Sequence, residues 1–309
     1  MSNLNVYIVQ KRDPSRTLVL RDSFVRAMRK RFKTLMFNIQ KAIVEQDCFG
    51  LTAPTVQAAL PFYRQFDFPR TADKVQAFMD WVQTQVDEGL LDIRMFPQVA
   101  NAIESAWTNM FIYDSYKRGV MRARSEMKKK GYSVPTIDAS GGIEAVMGAP
   151  FHIDAVGVLF TRAFSQLKGI TAAMDTQISI VLAQGLIDGD NPTFLARKLF
   201  AVINGTGAGD LGITDSLGRF IPAMRRAETL ARTEIIRAHH TAMMQEYESW
   251  HIEELDLVAE FITAGDLRVC SECEALERGN PYTWKEAQNM VPVHPNCRCV
   301  VIPIENPKK

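Results

Sequence analysis

Cys270-Ser-Glu-Cys273 and, about twenty residues later, His294-Pro-Asn-Cys297-Arg-Cys299 place four of the chain's five cysteines and one of its five histidines inside thirty residues. Thiolate and imidazole are the ligands Zn²⁺ prefers, and a Cys-x-x-Cys turn offers two thiolates on one side of an ion. Cys297 and Cys299 alternate, so in an extended segment both side chains point the same way and can close a tetrahedron from the far side. Five donors compete for four places. Cys270, Cys273, Cys297 and Cys299 form one set; His294 in place of Cys297 or Cys299 forms the other, and the sequence does not choose. Four protein ligands leave no position for water, so the expected site is structural. Such a knuckle would staple a β element whose core is too small to stand alone. The competing reading is a disulfide, or reduced thiols with no metal. Cys48 stands apart, and a lone cysteine beside a cluster of four suits a reducing interior better than a secreted disulfide framework.

Catalytic constellations are hard to assemble around these donors. A zinc deaminase needs His-x-Glu ahead of Pro-Cys-x-x-Cys. His251-Ile-Glu253 has the first form, but Val269 precedes Cys270 where proline is required. An HNH-type nuclease needs a further metal-binding histidine and a base beyond its cysteines, and none follows Cys299. His239 and His240 are adjacent on a predicted helix and diverge by roughly 100°, so they chelate one metal poorly; one is expected packed and the other exposed. Arg232 is expected to reach a carboxylate such as Asp266 beside the knuckle, and Glu234 to pair with a nearby arginine, both as structural support. Gly205-Thr-Gly207-Ala-Gly209 lacks the preceding strand and the following Lys-Ser/Thr of a phosphate loop.

The elements that must position these residues are mostly helical. Phe24, Met28, Phe32, Leu35, Ile39 and Ile43 recur at spacings of three and four, which predicts a helix from about Leu18 to Glu45. Its other faces carry Arg21, Arg26, Arg29, Lys30, Arg31, Lys33 and Lys41. These form either a solvated face or a strip for nucleic acid or an acidic partner. Prolines make 51–68 a connector. Thr71 is a candidate N-cap for a helix to about Glu88, ended by Gly89. Pro97 to Lys130 reads as one long helix. The glycines and proline of 132–149 suggest a linker between a helical region, 1–131, and a second domain, 150–309. Helices are expected at about Ile153 to Leu186, after Asn191-Pro192 to about Val202, and from Ile221 to about Ile252. Leu255–Thr263 and Val300–Ile304 read as strands, so the knuckle segment, 255–304, is a small α+β part of a mainly α protein.

Composition is ordinary for a globular chain of 309 residues, with 47% hydrophobic and 23% charged residues. A formal net charge of +1 means any surface for a polyanion must be local. With no run of eighteen apolar residues and no apolar segment at the start, neither a membrane span nor a secretory signal is expected.

The C-terminal part resembles the phage Mu F-like head morphogenesis family, also described as minor head or minor capsid proteins. The resemblance rests on Ala231-Arg-Thr-Glu234, on Asp266-Leu-Arg-Val-Cys270-Ser-Glu-Cys273, and on Pro292-Val-His294-Pro-Asn-Cys297-Arg-Cys299 before an apolar strand. It also takes in Gly185 through Pro192 and, more loosely, Asp13-Pro-Ser-Arg-Thr17 leading into the basic helix. It implies a structural protein, not an enzyme, located in the virion near the portal vertex and assembled in the host cytoplasm. The implied partners are the portal, other head proteins and packaged DNA, with roles in head assembly, DNA packaging or DNA delivery. The alternatives are a zinc-dependent nuclease or a nucleic-acid-binding protein.

Overall fold

The computed structural model describes residues 13–52, 72–95, 104–205 and 221–307. Within them the chain is mainly helical. Its elements are α1 (Leu18–Gln40), continued by a π turn at Lys41–Glu45, then α2 (Ala72–Gly89), β1 (Ile93–Met95), β2 (Glu104–Ala106), α3 (Asn109–Lys129), α4 (Ile143–Met147), α5 (Pro150–Ile187), α6 (Pro192–Asn204) and α7 (Ala223–Ser249). The C-terminal part follows: β3 (Leu257–Ile262), α8 (Ser271–Arg278), α9 (Trp284–Ala287) and β4 (Val300–Glu305).

Two compact units are built from separated stretches. The first takes Met1–Val25, Thr108–Ala163 and Thr229–Lys309, the second Arg26–Trp107 and Phe164–Glu228. The stretch 132–149, where the sequence suggests a linker, lies within the first unit and carries α4.

In the second unit the predicted apolar row of α1 is buried at Met28, Phe32, Leu35 and Ile39, and continues to Ile43 in the π turn. Phe78, Val82 and Val86 do the same for α2. Asn191 caps α6 as expected, its side chain accepting the Phe194 N–H at 2.9 Å with Pro192 at the first helical position. Gly205 ends α6 at φ 81°, where a Cβ would lie 2.6 Å from Pro222; both the left-handed backbone and the close approach require glycine. The single helix expected over Pro97 to Lys130 is corrected. Glu104–Ala106 pairs antiparallel with Ile93–Met95, and the helix begins only at Asn109. Trp107 is buried outside the helix, its indole N–H donating to the Leu90 carbonyl at 2.9 Å. Thr71, Ile103, the connector beyond Thr52 and the glycine-rich residues 206–212 lie outside the described residues.

The first unit has α3 and α7 crossing at Gly119, where a Cβ would meet the His239 carbonyl oxygen at 2.3 Å. Ser115 donates to the Ile235 carbonyl at 2.6 Å beside that crossing. β3 and β4 pair antiparallel, from Leu257 opposite Glu305 to Ile262 opposite Val300. Met127, Met243, Tyr247, Phe261, Trp284 and Val301 form one buried cluster that also takes in Cys273, Cys297 and Cys299. The sulfurs are thus part of this unit's core.

Among the described residues α5 is the one helix long and apolar enough to cross a membrane by length and composition; a third of its most apolar stretch is buried. It carries Asp154, Arg162, Lys168 and Asp175 along its length.

Candidate metal centre

Cys270 is the N-cap of α8, and its Sγ accepts the Cys273 N–H at 3.4 Å. The Cys-x-x-Cys turn is therefore the first turn of a short helix. That backbone N–H is the largest influence holding the Cys270 thiol below its ordinary pKa. Cys273, three residues on, is 1% exposed. On the other side of the site Cys299 directly precedes β4. Cys297 and Cys299 are both buried while Arg298 between them faces away, which is the alternation expected of an extended segment.

His294 completes the donor set. Its Nε2 lies 3.2 Å from Cys270 Sγ and 3.3 Å from Cys273 Sγ. A nitrogen and a sulfur bound to one zinc in a tetrahedron stand about 3.5 Å apart, so these separations fit a shared ion within a few tenths of an ångström. Nδ1–H donates to the Pro295 carbonyl at 2.8 Å, which fixes the tautomer and leaves the Nε2 lone pair facing the sulfurs. Two overlapping groups result. Cys270, Cys273 and His294 form one, Cys273, Cys297 and Cys299 the other, with the ligand atoms of each group within 4.8 Å of one another. All five sequence-predicted donors are brought together, and Cys273 is common to both groups.

Electrostatics point the same way. The Cys299 thiol hydrogen-bonds to Cys297 and holds it down as the readiest thiolate. That contact, with burial, pushes Cys299 up, and burial likewise raises Cys273. Packed sulfurs with no cation therefore ionise one at a time, whereas a dication would favour several thiolates at once. Soft donors, and no carboxylate within either group, suit zinc.

Of the expected supporting contacts, the pairing of Glu234 with a nearby arginine is present and that of Arg232 with Asp266 is not. Asp266 does not meet Arg232. It takes a bidentate pair from Arg298, at 2.6 and 2.7 Å, and further bonds from the backbone and side chain of Arg268. Arg298, turned away from the core by the same alternation that buries its cysteine neighbours, holds the Asp266 carboxyl far below the usual carboxylate range. Arg232 instead donates to Asn296 Oδ1 at 3.4 Å. Glu234 is buried and meets Arg237 at 3.2 Å and Arg162 at 3.5 Å. His239 and His240 are both buried, which corrects the expectation of one packed and one exposed. α3 covers one side of α7 at His239, and on another side His240 Nε2–H donates to the Ala287 and Gln288 carbonyls. His251 and Glu253 line a cavity of about 260 Å³ with Tyr247 and Trp284, and no cysteine faces it. Sequence reading missed the turn His294-Pro-Asn-Cys297, although proline followed by asparagine is its signal.

The basic strip on α1 is less uniform than its sequence. Arg21 is 4% exposed and paired with Asp13 at 2.8 Å, so as a contact for a partner it is corrected to a buried ion pair. Arg29 makes a two-point pair with Glu228, and the Arg31 guanidinium lies 3.9 Å over the Trp107 ring. Arg26, Lys30 and Lys33 are exposed and, with Arg29, Thr34 and Phe37, line a groove of about 580 Å³.

Fold and site together define a mainly helical protein with a two-stranded antiparallel C-terminal part whose core takes in a Cys/His cluster. Residues 176–302 match the model of the family described as Phage Mu protein F like protein, a family of phage head morphogenesis proteins. The match runs from within α5 to within β4 and contains all five donors. No curated protein and no solved structure matches the chain.

Proposed function

We propose that this protein is a minor structural component of a tailed-phage head, placed at the portal vertex, whose C-terminal part is held together by one zinc ion. The carrying observation is that the Mu F-like match and the Cys/His cluster coincide: the five converging donors all lie inside the matched segment. When bound, zinc supplies a fixed tetrahedral cross-link between the start of α8 and the approach to β4. Cys270 and Cys273 hold it from one side, and His294 with Cys297 or Cys299 from the other. Protein donors suffice to fill the shell, which favours a structural role over catalysis. The exposed Arg26, Lys30 and Lys33 supply a surface for an acidic portal face or for DNA phosphates during packaging or delivery.

The test is quantitative mass spectrometry of purified procapsids and virions, together with sedimentation of the protein with portal rings at low and raised salt. A fixed low ratio to portal in both particles, and co-sedimentation that survives salt, is the expected result. Absence from both particles overturns the reading.

A further inference from the structure

We infer that Thr233 on α7 is a positioning residue for the metal centre, acting through the turn that carries two of its ligands. This rests on the zinc reading above and adds what sets the ligand geometry. His294-Pro295-Asn296-Cys297 is closed by the Cys297 N–H donating to the His294 carbonyl at 3.1 Å. Proline in its second place and Asn296 at φ 62° in its third make it a turn of the type II pattern. Such a turn sets its first and last residues side by side, and here those are His294 and Cys297. The Asn296 N–H does not take part in closing the turn and needs an acceptor elsewhere.

That acceptor is Thr233 Oγ1, at 3.0 Å. The Thr233 hydroxyl donates its own proton one helical turn back, to the Thr229 carbonyl, at 2.7 Å. Its proton is therefore committed, and a lone pair faces Asn296. The Asn296 carboxamide makes two longer contacts with the same helix, accepting from Arg232 at 3.4 Å and donating to Thr229 Oγ1 at 3.5 Å. α7, a largely buried helix, thus holds the tip of the turn, and the turn aims His294 Nε2 and Cys297 Sγ. Residues that orient ligands without touching the metal commonly carry ten- to a hundredfold in metal affinity.

The experiment compares full-length wild type, Thr233→Val, Thr233→Ser and Asn296→Gly. Zinc affinity is measured by competition with a chromogenic chelator, and ligand geometry by the visible spectrum of the Co²⁺-substituted protein. Valine keeps the shape of threonine and removes the hydroxyl. It is expected to weaken zinc binding by about tenfold and to shift the cobalt spectrum, with serine close to wild type. A merely structural threonine would lower the melting temperature and leave the spectrum unmoved. Asn296→Gly keeps the left-handed backbone and the peptide N–H, and is expected to lose less than Thr233→Val. Thr233→Ala takes the place of the valine variant should that chain fail to fold. Equal affinity in wild type and the hydroxyl-free variant overturns the inference, as does a serine variant as weak as valine, or a larger loss in Asn296→Gly. Wild type that takes up no zinc removes the metal reading itself and this inference with it; zinc bound equally by every variant removes the inference alone.

Discussion

The cysteine centre and the basic strip along α1 are the two regions whose residue types stand out, and they are built in opposite ways. At the cysteine centre each donor is set by backbone: Cys270 and Cys273 by the cap and first turn of a helix, His294 and Cys297 by the turn they close, and Cys299 by alternation with Cys297 in the extended approach to β4. The donors converge from separate elements onto a common place. Along α1 the cations diverge. Arg21 is buried against Asp13, Arg29 and Arg31 are engaged by Glu228 and Trp107, and Arg26, Lys30 and Lys33 remain on the surface. Convergence of donors whose mutual spacing matches a coordination shell specifies a ligand class. A row of exposed cations specifies only the sign of its partner's charge, and the geometry must come from that partner.

The largest effect that could break this contrast is removal of one shared donor. Cys273→Ser touches both donor groups and the core cluster together. Without a metal, the change costs on the order of 1–3 kcal/mol, the desolvation of one buried hydroxyl. With a structural zinc it forfeits a large part of a binding free energy of about 10–16 kcal/mol in zinc-finger peptides. Hydrogen exchange separates the cases. The expected outcome is loss of protection at β3, β4 and the α3 and α7 residues of that cluster, with α2 and α6 still protected. Chelation of the wild type should reproduce the same map. A shift confined to the low range, with metal content unchanged, would place the centre on the same footing as the strip.

Much of the local structure was legible because it depends on near neighbours. Spacing predicted α1 and its buried row, Asn191-Pro192 announced α6, and β-branched runs marked β3 and β4. Spacing also named the five side chains that cluster, because a Cys-x-x-Cys turn and an extended Cys-x-Cys segment carry their geometry within themselves. What stayed hidden depended on distant partners. Sequence alone pairs Asp266 with Arg232, and only the packing of the segment before β4 brings Arg298 to it instead. His239 and His240 diverge as a helix requires, yet α3 and the end of α9 cover both directions. Trp107 continues a helical pattern in the sequence and leaves the helix because β2 pairs with β1. The compact units, each drawn from stretches far apart in the chain, have no punctuation to mark them.

A smaller effect sharpens the contrast through Asp175, a strongly perturbed carboxyl of the second unit. Asp266 in the first unit is held down by arginines; Asp175 on α5 has Oδ1 buried with no hydrogen-bond partner, and burial with the nearby Asp87 raises its pKa to about 6. A raised carboxyl favours the folded state when protonated. Its contribution is present in full below the unfolded value near 4 and is lost as pH rises through about 6. Asp175→Asn should therefore stabilise the protein at neutral pH, by about 1–2 kcal/mol after allowing for solvent screening, and have little effect near pH 4. Thermal melts across that range check it. Equal melting shifts at both pH values would show that Asp175 is solvated like an ordinary surface acid.

The smallest expected change in stability belongs to the strip itself. Lys30 and Lys33 are exposed on α1 and line the same groove as Phe37, which is 60% exposed. Replacing both lysines with glutamate leaves the buried row of α1 intact, and helix propensity is nearly unchanged. Stability should move by no more than about 0.5 kcal/mol for each change. Partner binding should respond strongly, because four units of charge are reversed along one groove. Reduced co-sedimentation with portal rings and an unchanged far-UV signal would assign the strip a contact. If DNA is the partner, the salt dependence of binding should also flatten by about two phosphate contacts, the number of lysines lost. Binding that is indifferent to the double substitution would return these lysines to a solvated face. The cysteine centre would then be the only one of the two regions for which a ligand is proposed.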